Sequence, residues 1–275
     1  MSSKIHTLRV FVSGFDCKLY AVAQAASEKG TVPLASVNLK FISNFNVELS
    51  SAYENLPSSW KEITVEELGR LVRFIKPTLE QRHPLRYDDE SRNTLHIPYC
   101  KQNISIILLS MRMPVDSIDL WFDHDAEAKE FFQSAGPIYS ITCFAPRDLQ
   151  PSTVDVLIDK FIPVDGGKFD VYNQVTRAQL ERLIVKCGMA DKKVTVNVLL
   201  DDCMKGSELK DLFDFDKYYP NRKVKHREIY AFGEGAKMKL RVTRLSDSEI
   251  ECKWMEKCWQ QEKVRKWNRS RIALY

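Results

Sequence analysis

The 275-residue chain has no CxxC pair, no run of about eighteen apolar residues and no glycine-rich loop following an apolar strand pattern. The missing apolar run excludes a membrane-spanning helix. Met1 to Gly14 reads as a strand, without the basic start, apolar stretch and small-residue cleavage site of a signal peptide. The cysteines (Cys17, Cys100, Cys143, Cys187, Cys203, Cys252 and Cys258) are scattered and odd in number, and Cys143 and Cys187 fall at expected core positions. They are therefore expected to be reduced thiols in a cytoplasmic or nuclear protein. The histidines His6, His83, His96, His124 and His226 are equally dispersed, none at zinc-like spacing from cysteine. No G-x-S-x-G, HExxH or Walker pattern occurs. No catalytic residue, cofactor or metal ligand is expected, and the chain is read as a non-enzyme.

What the chain does contain is a recurring strand–helix pattern between Thr94 and Asp202. Five apolar–polar–apolar triplets begin at Leu95, Ile118, Ile141, Phe169 and Val196, at spacings of 23, 23, 28 and 27 residues. Alternation with period two marks a strand buried on one face. Each gap holds a helical stripe. Asn103–Met111 aligns Ile104, Ile107, Leu108 and Met111, and 125–135 aligns Ala128, Phe131 and Phe132 after Asp123 or Asp125 as cap. Ser152 is the expected cap for Val154, Leu157, Ile158 and Phe161. Thr176 opens the stripe Leu180, Leu183, Ile184 and Cys187, with Gly188 as stop. The spacing lies in the leucine-rich range of roughly 20–29 residues. A single strand–helix unit cannot cover its own apolar face, but stacked neighbours can. The expected fold is α/β: a degenerate leucine-rich-like stack with a parallel sheet and its helices on the outer side. The short strands and absent phosphate loop favour it over a closed doubly wound sheet.

The rest divides around this array. Residues 1–93 are expected to hold N-terminal strand–helix units, 94–205 the repeat array, 206–254 a helix and an antiparallel cap, and 255–275 a basic tail. In the first part, triplets at Leu8–Val10 and Val37–Leu39 read as strands, Ala21–Glu28 as a helix stopping at Gly30, and 45–57 as irregular. Thr64 and Glu67 form a capping box before Leu68, Leu71, Val72 and Ile75, and Gln81–Asn93 is a polar break. In the third, Ser207–Phe213 reads as a helix and Tyr218–His226 as a basic connector. The segments 228–232, 237–243 and 249–254 read as a strand meander that would cap the stack. The formal net charge is +4, and Trp254–Tyr275, with six Lys or Arg against two Glu, holds an equal excess.

The stretches VDVLIDKFIPVDGG (154–167), TRAQLERLIVKCGMADKKVTVNV (176–198), HREIYAFGEGAKMKLRV (226–242) and IECKW (250–254) resemble the leucine-rich-like regions of nematode F-box and F-box-associated proteins, over about the last two thirds of the chain. In that family an N-terminal F-box docks a Skp-type adaptor of a cullin ubiquitin ligase, and the repeat region recruits substrates. Leu56-Pro-Ser-Ser-Trp60 before the Thr64 helix echoes an F-box opening, but no intact F-box is expected. The resemblance implies a non-enzymatic protein-interaction module for substrate recognition; the alternative it offers is a working ligase adaptor.

In an open stack the polar centres of the triplets share one face: His96, Asp119, Thr142, Asp170 and Asn197, with Trp121, Phe144, Tyr172 and Thr195 beside them. Aromatic anchors among small polar residues suit a protein partner, so these residues form the candidate recognition face. Asp123-His124-Asp125 and Asp201-Asp202-Cys203 follow strands but read as caps and first-turn carboxylates. The tail interleaves Trp254, Trp259 and Trp267 with Lys263, Arg265, Lys266, Arg269 and Arg271. That mixture opens a further alternative, nucleic-acid binding by phosphate neutralisation and base stacking, weighed against a helix that packs its tryptophans on the domain.

Overall fold

The computed structural model describes residues 6–25, 30–50, 56–73, 75, 92–98, 103–145 and 149–257. The chain runs β1 (His6–Ser13), β2 (Leu19–Ala25), β3 (Thr31–Val32), β4 (Ile42–Ser50), β5 (Lys61–Ile63), α1 (Val65–Val72), β6 (Thr94–Ile97), α2 (Asn103–Ser110), β7 (Ser117–Trp121) and α3 (Asp125–Ser134). It continues with β8 (Ser140–Phe144), α4 (Pro151–Lys160), β9 (Gly167–Val175), α5 (Arg177–Ala190), β10 (Val194–Leu200), α6 (Phe215–Tyr218), β11 (Asn221–Lys225), β12 (Glu228–Phe232), β13 (Met238–Arg244) and β14 (Glu249–Glu256). All fourteen strands belong to one sheet, ordered β11-β12-β13-β14-β10-β9-β8-β7-β6-β4-β1-β2-β3, with β5 also beside β2.

From β4 to β10 the neighbours are parallel and follow chain order. Parallel neighbours need a crossover connection, and α2 to α5 supply four of them. Such crossovers are right-handed almost without exception, which places successive helices on one side of the sheet. The expected triplets stand in register: Leu95, Ile118, Ile141, Phe169 and Val196 are direct partners from strand to strand. They are buried with Leu108, Phe132, Leu157 and Leu183 of the helices in a continuous core. Each such side chain contributes about 1.5–3 kcal/mol by leaving water.

The helix layer is closed by a repeated device. Lys160 at the end of α4 donates to the carbonyls of Gln133 (3.2 Å) and Ala135 (2.5 Å) at the end of α3. Lys186 of α5 does the same for Ile158 (2.7 Å) and Asp159 (3.0 Å) at the end of α4. A cation there satisfies orphaned carbonyls and opposes the helix dipole. Burial of Lys186 lowers its pKa. Two buried amides join units across the strands. Asn93 accepts from the Phe45 N–H and donates to the Pro114 carbonyl, and Asn173 bonds both backbone groups of Leu149.

Several expectations change. Ala21–Ala25 is strand, not helix: Ala21, Val22 and Ala23 are fully buried between β1 on one side and β3 and β5 on the other. Tertiary packing overrides the helix propensity of alanine. Around Val37–Leu39 the Asn38 side chain accepts from the Lys40 N–H and turns Leu39–Phe41 into a 3₁₀ turn. The strand comes later, as β4, inside the stretch read as irregular; Phe45, Val47 and Leu49 point into the core. Tyr218–His226 is not a connector throughout, because Asn221–Lys225 pairs with β12 as the edge strand β11. Its lysines and arginine suit a sheet edge. The 207–213 helix is a 3₁₀ turn at Leu209–Asp211, with α6 following. Pro151 opens α4 after Gln150, so Ser152 is not the cap. α5 runs through Gly188 and stops at Asp191 in the left-handed region. The two capping boxes at Thr64 and Thr176 form as expected.

The meander of β12, β13 and β14 also forms, but it does not sit across the end of the stack. β14 pairs antiparallel with β10 and continues the same sheet. The sheet likewise runs without a break from β4 to β6.

Candidate recognition face

The face opposite the helices carries one polar row that can be followed strand by strand. Glu48, His96, Asp119, Thr142, Asp170, Asn197 and Glu251 are successive pairing partners from β4 to β14. The structure thus brings together the five triplet centres and adds a glutamate at each end. Thr195 lies in the next row, between Lys168 and Lys253.

The row carries acidic groups, each of three beside a cation. His96 Nδ1 lies 3.0 Å from Asp119 Oδ2. The hydrogen bond to Asp119 raises the His96 pKa above its ordinary 6.5, against opposing burial; the charges of Asp119 and Glu48 add to the rise. Lys168 pairs with Asp170, and Arg241 and Lys253 pair with Glu251 at 3.0 and 3.6 Å. Asp170 is only 4% exposed, so it braces the face and is not a free contact residue. Among the described residues the hydrogen bonds of His96 reach no serine, threonine or cysteine that could act as a nucleophile. Beneath the row, burial pushes the Cys143 thiol up to about 12, which suits an inert core side chain.

The aromatic row is the most organised part. Trp121 and Phe144 are strand partners, as are Phe144 and Tyr172. Their rings stack at 5.7 Å and 13°, then at 4.0 Å and 11°. The three side chains therefore share one face, as expected, but cover one another's ring faces. Trp121 and Phe144 are half-buried, and Tyr172 is 40% exposed. The ladder stops there because β9 bulges. Val198 pairs with Val171, but Leu199 pairs with Gln174, so β10 offers no direct partner to Tyr172. The Asn173 amide, held on Leu149, anchors the bulge. Bulges of this kind re-aim side chains.

The same face changes character over β11 to β14. Lys225 and Lys239 stand over the Tyr230 ring at 5.2 and 5.7 Å, and Lys257 over Phe232 at 4.8 Å. Lys223, Arg241 and Lys253 extend the basic row.

The remaining candidates fall elsewhere. His124 is the residue before α3 and its side chain makes no capping bond, while the Asp125 carboxylate accepts from the Gln150 N–H at 2.8 Å. Asp201 accepts from the Met204 N–H, and Asp202 pairs with Lys205. Among the described residues no three His, Cys, Asp or Glu side chains converge as metal ligands, and no helix is long and apolar enough to cross a membrane. The tail residues Lys263, Arg265, Lys266, Arg269 and Arg271, and most of the 81–93 break, lie outside the described residues.

Glu48 escaped the sequence reading because β4 did, although Asn46 and Glu48 alternate with Phe45, Val47 and Leu49. Glu249, Glu251, Arg241 and Lys253 escaped because their strands were assigned to a separate cap. Lys168, two positions before Asp170 on one strand, was the most accessible missed signal. No protein family, no curated protein and no solved structure matches the chain.

Proposed function

We propose that the chain is a non-enzymatic protein-recognition module, leucine-rich-like in design, whose helix-free sheet face binds a protein partner. The observation that carries this reading is the in-register ladder of Trp121, Phe144 and Tyr172, set beside the small and acidic side chains of the polar row. Aromatic side chains already fixed by stacking lose little freedom on binding, and interface energy concentrates on such anchors. The sequence resemblance to F-box-associated proteins points the same way, to a substrate-recognition region acting in the cytoplasm or nucleus. The test is proximity labelling in cells with the wild-type chain and Tyr172→Ala, after thermal melts establish equal folding. A set of neighbours lost only by Tyr172→Ala is the expected result; identical labelling by both overturns the assignment of this face. Co-purification of a Skp-type adaptor would move the reading to a working ligase subunit.

A second reading is supported by the lysines around Tyr230 and Phe232. Basic and aromatic side chains together on a sheet can hold single-stranded nucleic acid, and the basic tail could add to that. Anisotropy of a labelled oligonucleotide should then fall steeply with salt and on replacing Lys223, Lys225 and Lys239 by Gln. Flat salt dependence rejects it.

A further inference from the structure

The polar row and the aromatic row meet at one unfilled position. Tyr172 closes the ladder with one ring face on Phe144, and the bulge leaves no residue of β10 against the other. Leu199 is the next outward residue of β10, half-buried, and its partner across the next strand is Glu249. Two strand spacings, about 9–10 Å, therefore separate the line of Tyr172 from that of Glu249. A planar group stacked on the Tyr172 ring would lie above Leu199. It would leave about 5–6 Å to β14, within the reach of a glutamate side chain.

The electrostatics select the kind of planar group. Asp170 and Glu249 both act on Tyr172, as does the more distant Asp119. Burial first, and then the Asp170 charge, hold the Tyr172 hydroxyl above its ordinary range, with Lys168 opposing. Asp170 already has Lys168. Among the described residues Glu249 is in no ion pair, unlike its strand neighbour Glu251. A neutral aromatic ring would satisfy the stack but leave that carboxylate without a counter-charge. An ammonium would supply charge but no plane. A guanidinium does both: it stacks on tyrosine and bonds a carboxylate through a fork of N–H donors.

We infer that the seat over Leu199, between the Tyr172 ring and Glu249, takes the guanidinium of an arginine side chain carried by a protein partner. The inference rests on the recognition reading above and names the residue that the partner presents. Arginine, set in the acidic half of the face, becomes the anchor of the interface, and the half-buried Trp121 and Phe144 act as positioning residues that hold Tyr172 upright.

The test uses the full chain and four pools of nine-residue fluorescent peptides, random except for a fixed centre of Arg, citrulline, Lys or Phe, read by anisotropy. Citrulline keeps the shape of arginine and removes its charge. The Arg-centred pool should bind about tenfold more tightly than the citrulline pool, the equivalent of about 1.4 kcal/mol, and should also outbind the Lys pool. Tyr172→Phe should keep this preference, whereas Tyr172→Ala and Glu249→Gln should abolish it with unchanged thermal melts. Equal binding of Arg and citrulline pools, or an Arg preference that survives Tyr172→Ala, overturns the seat and leaves the recognition face standing. Preference for the Phe pool, lost in Tyr172→Ala, also overturns it, with an aromatic as the anchor. Failure of the wild-type chain to bind any pool removes both the seat and the recognition reading on which it depends.

Discussion

The two ends of the helix-free face are built from one sheet yet differ in connection, charge and legibility. From β4 to β10 each strand is followed by a return through the helix layer, so each unit adds one outward row position and one helix. From β11 to β14 the strands are joined locally as hairpins and add no such layer. The parallel part gathers Glu48, Asp119 and Asp170 around an aromatic ladder; the antiparallel part sets lysines over isolated rings. The lesson is that a continuous sheet does not make a uniform surface. Parallel register lines up like residues from successive units, and hairpin register interleaves unlike ones.

The comparison can be broken hardest in the core. Leu157 of α4 and Leu240 of β13 are both fully buried. Replacing either by alanine should cost about 2–5 kcal/mol in urea unfolding. The two should differ in reach: amide exchange should quicken across α3, α4 and α5 for Leu157→Ala, and stay within β12 to β14 for Leu240→Ala. Equal spread would mean that the halves unfold as one. Next in size is the bulge. Asn173→Ala leaves the backbone groups of Leu149 without their bonds, a loss of about 1–3 kcal/mol, and should release the stacking of Tyr172 on Phe144 in the aromatic NMR shifts.

A smaller effect depends on pH. Because the folded protein raises the His96 pKa above 6.5, protonation favours the folded state. The contribution is fully present below the unfolded value of 6.5 and disappears as pH rises through the raised folded value. The stability advantage of wild type over His96→Gln should therefore shrink over that window, and Glu48→Gln should lower the midpoint seen in an NMR titration of the ring. A wild-type curve parallel to that of His96→Gln would contradict the pairing with Asp119. The smallest effect is at the surface: Arg182 spans Asp155 and Asp159 at 2.5 and 2.7 Å, but all three are well exposed, so Arg182→Ala should cost no more than about 1 kcal/mol, and less in high salt.

The contrast also explains what could be read from the sequence. The parallel units were legible because Leu95, Ile118, Ile141, Phe169 and Val196 repeat an inward–outward alternation at nearly constant spacing, and because capped stripes such as Thr176–Cys187 occupy the gaps. The first antiparallel pair was not. β2 is buried on both faces and built from alanine, so it shows no alternation and a helix propensity that only packing overrules. β11 hid for the opposite reason, since an exposed edge has no need of apolar residues. Within the face, the members could be named but not their states. Nothing local in the sequence distinguishes Asp170, sealed under Lys168, from Asp119, paired with a histidine across a strand, and the gap beyond Tyr172 exists only because two strands fall out of step.

The lysine closures in the helix layer give the molecule a direction. Lys160 completes α3 and Lys186 completes α4, while Asp191, just past α5, accepts from the Met238 N–H of β13. Every unit is finished by the one that follows. Shortening the chain from its far end would always strip the final stopper from whichever helix came to be last, whereas removal from the near end would uncover apolar surface but leave each remaining helix terminus sealed.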